Sequence, residues 1–368
     1  MKARIDAETL LELYRPDLSR MLAEYACPSY RYAQVYEYLL RHPLQPFAQA
    51  TMLPAEMRSW LDESGVSSLE TAARSVSSDG TEKLLLKTSD SAHIETVVMP
   101  YRRRTTLCLS SQVGCPVGCA FCATGAMGFS RNLSVTEIVD QVRIAAASLS
   151  ETSSRVSNLV FMGMGEPLLN LQAVLRSIQV LTAPRGMDLA HRSISVSTIG
   201  VPAGIVRLAR AEPQVNLAIS LHAPSDQTRA LLVPEKHRHP IEDILEAAWE
   251  HFALTRRKLL IEYVLLSRVN DSAKDARRLA SLLKGHVVTV NLLAWNAVDP
   301  LRNSPARGSG KRRNATERTD FLPSPPAAVA AFRDVLAELG IEVVVRRSRG
   351  SDIEAACGQL AGRLASYG

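Results

Sequence analysis

No apolar run in the 368 residues reaches eighteen, the length at which a membrane-spanning helix becomes a candidate (about 18–20 residues), so no span is expected. The opening MKARIDAETLLELYRPDLSR is charged and helical in pattern and lacks the apolar centre of a signal peptide. Cysteines are few, six in all, too sparse for a disulfide scaffold; three of them are clustered, which points to a reducing compartment. Together these features point to a cytoplasmic enzyme. Acidic residues are outnumbered, 37 against 43 basic, for a net charge of +6 and a pI near 9.1. That favours a polyanionic partner without proving one. No internal repeat is visible. Hydrophobic residues, at 46%, suffice for a large core, and the length suits one large domain plus a small one.

The most specific feature is the run CPVGCAFC, in which Cys115, Cys119 and Cys122 are spaced C-x3-C-x2-C. A structural zinc site is closed by four protein ligands, and here no second C-x2-C and no H-x3-H follows. Three thiolates on a cubane [4Fe–4S] cluster leave one iron without a protein ligand, open to a small molecule. The spacing, with Phe121 just before the last cysteine, resembles the signature of the radical S-adenosylmethionine (SAM) superfamily, in which that molecule is SAM.

The chain divides near residue 88, giving an N-terminal accessory region 1–88 and a core 89–368. Residues 1 to about 75 read as helices from apolar spacing of three and four with proline punctuation. CPSYRYAQVYEYLLR mixes tyrosines with basic residues. Its tyrosines can pack inside a small bundle, the reading composition favours, or Arg31 and Arg41 can touch RNA phosphates. KLLLKT and HIETVVMP then read as a strand hairpin leading into the core. From about 104 to 300 apolar runs (TLCLS, SNLVFMGMG, SISVSTIG, VNLAISLHA, KLLIEYVLL, VTVNLLAW) alternate with helical patterns. Continuous apolar strands between helices call for a parallel sheet buried on both faces. Six units are too few for an eight-fold barrel. The expectation is an α/β fold, a partial (β/α)6 barrel with a small N-terminal helical domain. Special residues follow the strands, where parallel folds place their sites: the cysteine loop, Glu166 in GMGEP, Ser197, Ser220 and His222 in SLHAP, and Asn296.

With these motifs the chain resembles the RlmN/Cfr family of radical SAM RNA methyltransferases, most closely the RlmN branch, which methylates carbon 2 of adenine. HIETVVMP, CLSSQVGCPVGCAFCATGAMGF, RNLSVTEIVDQV, FMGMGEPLLN, SLHAP, WN and RGSDIEAACGQLAG carry the resemblance, with a weaker match at PSYRYAQVYEYL. It implies a [4Fe–4S] cluster on Cys115, Cys119 and Cys122. It implies a SAM pocket with Gly165 and Glu166 at the methionine end, completed by Ser197, Ser220, Leu221, His222 and Asn296. It makes Cys357 the methyl carrier, Cys108 its thiol partner and Glu95 the proton acceptor.

Carbon 2 of adenine is electron-poor and cannot attack a SAM methyl, whereas a thiolate can. The resemblance therefore implies that Cys357 takes the methyl first. A second SAM, cleaved by the reduced cluster, yields a radical that takes hydrogen from the S-methyl group. The carbon radical adds to the base. Proton loss and attack by Cys108 release methyladenine and leave a Cys108–Cys357 disulfide. The implied partners are 23S rRNA, tRNA and a low-potential electron donor such as flavodoxin. Carbon-8 methylation, an antibiotic-resistance activity, and a non-catalytic iron–sulfur RNA-binding protein are the alternatives. Without the resemblance, Cys108 and Cys357 would equally be small buried hydrophobes; Cys27 reads as core. Departures from the family pattern fall at VPEKHRHPIED, at WNAVDPLRNS and in the long basic PARGSGKRRNATERTDFLPSPP, and bear on target choice more than on chemistry. The basic stretch 306–320 reads as either a solvated loop or an RNA contact.

Overall fold

A strand covered by helices on both faces must be apolar along its length, and Val288–Ala294 (VTVNLLA) is buried at six consecutive positions. It belongs to a sheet that organises the whole chain. The computed structural model describes residues 5–149, 154–298 and 321–362. In chain order the strands are β1 (Leu69–Val76), β2 (Glu82–Thr88), β3 (His93–Tyr101), β4 (Arg104–Cys108), β5 (Gln112–Gly114), β6 (Phe129–Asn132), β7 (Val156–Phe161), β8 (Ile194–Thr198), β9 (Asn216–Ser220), β10 (Leu259–Leu265), β11 (Val288–Ala294) and β12 (Glu342–Val345). Ten of them form one sheet in the order β1-β2-β3-β4-β7-β8-β9-β10-β11-β12, and β5 pairs with β6 beside it.

The sheet changes character at β4. β1 to β4 are antiparallel neighbours, whereas β4 to β7 and every later pairing is parallel. The six apolar runs are β4, β7, β8, β9, β10 and β11, with helices between them such as Val135–Leu149, Leu171–Thr182, Ile241–Thr255 and Ala273–Leu283. The partial barrel is therefore present, an α/β fold. β12 extends it as a further parallel strand. Its four residues, EVVV, lie on an edge with Val344 and Val345 largely exposed, so neither length nor burial pattern marks it in the sequence. β1 corrects the expectation of helix up to about residue 75: Leu69–Val76 pairs with β2 in a mostly exposed strand that has no period-two apolar pattern. Around residue 88 the sheet is continuous, because β2 and β3 pair from Glu82↔Val98 to Lys87↔His93.

Helices Ala7–Tyr14, Pro16–Glu24, Ser29–Arg41 and Ala55–Glu63 form the N-terminal cap. Tyr32, Tyr36 and Tyr38 are buried, and the Tyr36 hydroxyl donates to the Val180 carbonyl at 2.7 Å. Arg31 donates to Gln34 and to the Met52 carbonyl, and Arg41 to the Pro184 carbonyl. In this arrangement three of the segment's four tyrosines pack inside, Tyr30 stays exposed beneath Arg31, and both arginines hold backbone. A fully buried trio fixes the cap to the barrel. The Tyr14 hydroxyl donates to Asp140 at 2.6 Å, and Arg143 reaches both at 2.8 Å. Loss of one partner would strand a buried charge, at a cost of about 3–5 kcal/mol. Among the described residues no helix is long and apolar enough to cross a membrane. The basic stretch 306–320 lies outside the described residues.

Candidate active site

The carboxyl ends of the parallel strands surround a cavity of about 230 Å³. The loop after β5 brings Cys115, Cys119 and Cys122 to its wall, and an apolar group of Val117, Phe121, Ile199, Leu232 and Val233 packs round them. The loop is tight. A Cβ on Gly125 would lie 2.8 Å from the Cys119 nitrogen and 2.9 Å from its oxygen, so only glycine lets the chain fold back on itself here. Burial pushes the Cys115 thiol up to about 12, with neighbouring Cys122 adding to the rise. Burial, then the charges of Cys122 and Cys115, push Cys119 well up, and burial raises Cys122. Three thiols raised by burial need a positive centre among them to exist as thiolates. Among the described residues no three Cys, His, Asp or Glu side chains close up as they would round a single ion. Three thiols and no fourth protein donor are the set that a [4Fe–4S] cluster with one open iron takes, so the chemistry of these residues fits a cluster.

Beside the cysteines lies Glu166, 5% exposed. Its Oε1 accepts from the Leu168 N–H at 3.0 Å and its Oε2 from the Ile199 N–H at 2.8 Å. Burial raises its carboxyl to about 7 despite those donors. No cation pairs with it among the described residues, so a ligand ammonium would find an unneutralised carboxylate. Gly165 has φ +104, and a Cβ there would lie 2.6 Å from the Gln112 Cβ. Ser197 and Ser220 touch through their hydroxyls at 3.1 Å. His222 has φ +58, and its Nδ1 accepts from the Val264 N–H at 3.2 Å. Burial, with Arg229 nearby, lowers it to about 3, so the ring is neutral and Nε2 carries the proton. It meets Phe121 edge-on at 4.9 Å. Leu221 is fully buried in the main core and is not among the cavity-lining residues.

Cys108 ends β4 and Cys357 sits in the loop after β12. Both are free thiols lining this one cavity, 249 residues apart in sequence. Burial raises Cys108 far above an ordinary thiol, with the Cys357 charge second. Cys357 stays exposed at the cavity's edge; desolvation by the surrounding wall still raises its thiol, and Arg346 opposes the rise. Asn296 donates to the Cys357 carbonyl at 3.1 Å and accepts from Ser348 at 2.6 Å. Glu95 is placed differently. It is fully buried on β3, 3.3 Å from Lys83 Nζ, and its Oε2 accepts from the Ala361 and Gly362 N–H groups at 2.7 and 3.0 Å. It underpins the loop that carries Cys357 and is not among the cavity-lining residues.

Glu262 and Arg346, which sequence reasoning missed, complete the wall. Ser220, Glu262 and Asn291 are register partners across β9, β10 and β11. Asn291 donates to Glu262 at 2.8 Å, and Arg346 stands 3.7 Å away. One signal was available: Glu262 is the single charge inside the apolar run LLIEYVLL.

The family model of the radical SAM superfamily matches residues 109–280. A probable dual-specificity RNA methyltransferase RlmN of Thermus thermophilus is 41% identical over 348 residues, covering 94% of this chain and 93% of its own. Another of that name, from Heliobacterium modesticaldum, is 42% identical over 358 residues, covering 95% and 88%. A crystal structure of a radical SAM methyltransferase from Sphaerobacter thermophilus superposes with a TM-score of 0.86 at 40% identity, covering 96% of this chain and 99% of the other.

Proposed function

Since the chain belongs to the RlmN family of radical SAM methyltransferases, we propose that it transfers a methyl group to carbon 2 of adenine in RNA. The superfamily uses a [4Fe–4S] cluster and SAM; when bound, these supply the methyl group, an electron and the power to abstract hydrogen. Cys115, Cys119 and Cys122 would hold the cluster. Glu166 would answer the SAM ammonium, with Gly165 leaving room beside it. Ser197, Ser220, Asn296 and neutral His222 would complete the pocket as polar neighbours, and Leu221 would act from behind through its backbone.

Cys357 loses its proton and its sulfur takes the methyl group, becoming a thioether. After that methyl carbon has bonded to the base, a proton must leave carbon 2. Glu95 is the proposed acceptor, reached when the 355–362 loop that covers it moves. Cys108 then gives up its proton and attacks the Cys357 sulfur, forming a disulfide. The electron pair of the broken sulfur–carbon bond stays on the carbon, which takes a proton to become the methyl group, and the one electron left over from the radical addition would return to the cluster. The observation that carries this reading is that Cys108 and Cys357 face one cavity together with the three-cysteine group. Two merely packed thiols have no reason to converge beside it.

The proposed targets are an adenosine in the peptidyl-transferase region of 23S rRNA and the adenosine 3′ of the anticodon in tRNA. A flavodoxin-like donor would reduce the cluster, and free thiols fit a cytoplasmic setting. Mass spectrometry of RNA from a deletion strain tests the proposal. Loss of 2-methyladenosine is the expected result. Loss of 8-methyladenosine would assign the carbon-8 activity instead.

A further inference from the structure

The mouth of the cavity carries charge that its own folding does not call for. β3 and β4 turn through Arg102 and Arg103, with Tyr101 and Arg104 as the closing pair. Two-residue hairpins favour Asn-Gly or Asp-Gly, with positive φ at both positions. Neither Arg102 nor Arg103 has positive φ, so this turn lacks both the favoured residues and the favoured geometry. Arg102, Arg103 and Arg104 are also three successive exposed guanidiniums, which repel one another. A local sequence at odds with its local structure is a mark of function.

The neighbourhood sharpens the pattern. Tyr101 lines the cavity, with the Arg104 and Arg349 guanidiniums 4.9 and 4.7 Å from its ring centre. Arg349 is anchored to Asp79 and to the Pro100 carbonyl, and Arg346 faces Glu262. Arg347, also exposed, lines the same mouth. Among the described residues no carboxylate pairs with Arg102, Arg103, Arg104 or Arg347. By contrast Arg31 and Arg41, which the sequence pointed to, are bonded to main-chain carbonyls.

An enzyme that modifies a base inside a cavity must take that base out of its stack. The flanking phosphates then stay at the mouth, where arginine contacts fix register. We propose that the Arg102–Arg104 hairpin tip and Arg347 grip the RNA backbone beside the target nucleotide. This rests on the RNA methyltransferase reading.

The test measures binding of a synthetic RNA hairpin, with an unpaired loop adenosine, to cluster-loaded protein over a range of salt. The set Arg102→Gln, Arg103→Gln, Arg347→Gln should flatten the slope of log affinity against log salt by about two units, since each single-strand phosphate contact contributes about 0.7. Arg103→Gln alone, at an exposed tip where folding is not at stake, should give about a third of that. Lysine at all three positions should keep the slope. Arg277→Gln with Arg278→Gln, exposed on the helix Ala273–Leu283, should leave it unchanged. A wild-type slope in the glutamine set, or equal flattening by the helix pair, overturns the proposal while leaving RNA binding itself intact. Failure of the wild-type protein to bind the hairpin would instead overturn the RNA reading and the proposal with it.

Discussion

Asn296 donates its side-chain amide to the main-chain carbonyl of Cys357 at 3.1 Å. The segment just after β11 thereby holds the loop that presents the proposed carrier thiol, and Ser348 steadies the same amide from the other side. Replacing Asn296 by Ala removes both bonds, each with a net value of about 1 kcal/mol. We expect slower methylation of Cys357, by about tenfold, with cluster content retained. Mass spectrometry of the Cys357 peptide after incubation with SAM reads this directly.

The three clustered cysteines make a second prediction. Anaerobically reconstituted protein should hold one [4Fe–4S] cluster, and Cys119→Ala should lose both the cluster and SAM cleavage. Iron and sulfide analysis decides it. Stoichiometric zinc without iron, in protein kept free of oxygen, would refute the assignment.

Glu166 makes a pH prediction. Its carboxyl is raised to about 7 by burial, so below that value the ligand-free site is neutral and above it negative. An ammonium pairs with the negative form, so SAM binding should tighten as pH rises through about 7. Glu166→Gln should abolish that step and weaken SAM about tenfold or more, as expected for a charge-assisted hydrogen bond of about 1.5–3 kcal/mol. Calorimetric titration at several pH values measures both effects.

Cys357→Ala and Cys108→Ala should fail differently. Without Cys357 there is no thiolate to receive the methyl, so no modified RNA forms, though the cluster stays. Without Cys108 the base can still be joined to Cys357, but the link cannot be broken. A protein–RNA adduct that survives denaturation and is removed by ribonuclease should accumulate in Cys108→Ala alone. Unimpaired turnover in both variants would leave the two thiols as packing residues.

Glu95 separates anchoring from proton transfer. Glu95→Gln keeps an oxygen for the Ala361 and Gly362 N–H groups and loses the ion pair with Lys83. If Glu95 takes the proton, this variant should trap RNA as Cys108→Ala does. Lys83→Met, which removes the cation from this buried ion pair, should lower stability by about 3–5 kcal/mol. Thermal unfolding checks the second effect, and a denaturing gel the first.

How much could be read in advance follows from what each signal depends on. The six core strands were legible because a parallel strand buried on both faces must be mostly apolar, as in VTVNLLA. The cysteine loop was legible because ligands to one group lie close in sequence. β12 and β1 were not, since an edge strand needs no buried pattern. The sequence by itself determined the six core strands, the cysteine motif and, through its resemblance, the family. Only tertiary structure decided that Cys108 and Cys357 share a cavity, that Glu262 and Asn291 stand beside Ser220, that Glu95 lies beneath the Cys357 loop, and that the Arg102–Arg103 turn follows directly on Tyr101 in the cavity lining. Each of these depends on strand register and on chain reversals between distant segments, and no local run of residues encodes which distant partner its side chains will meet.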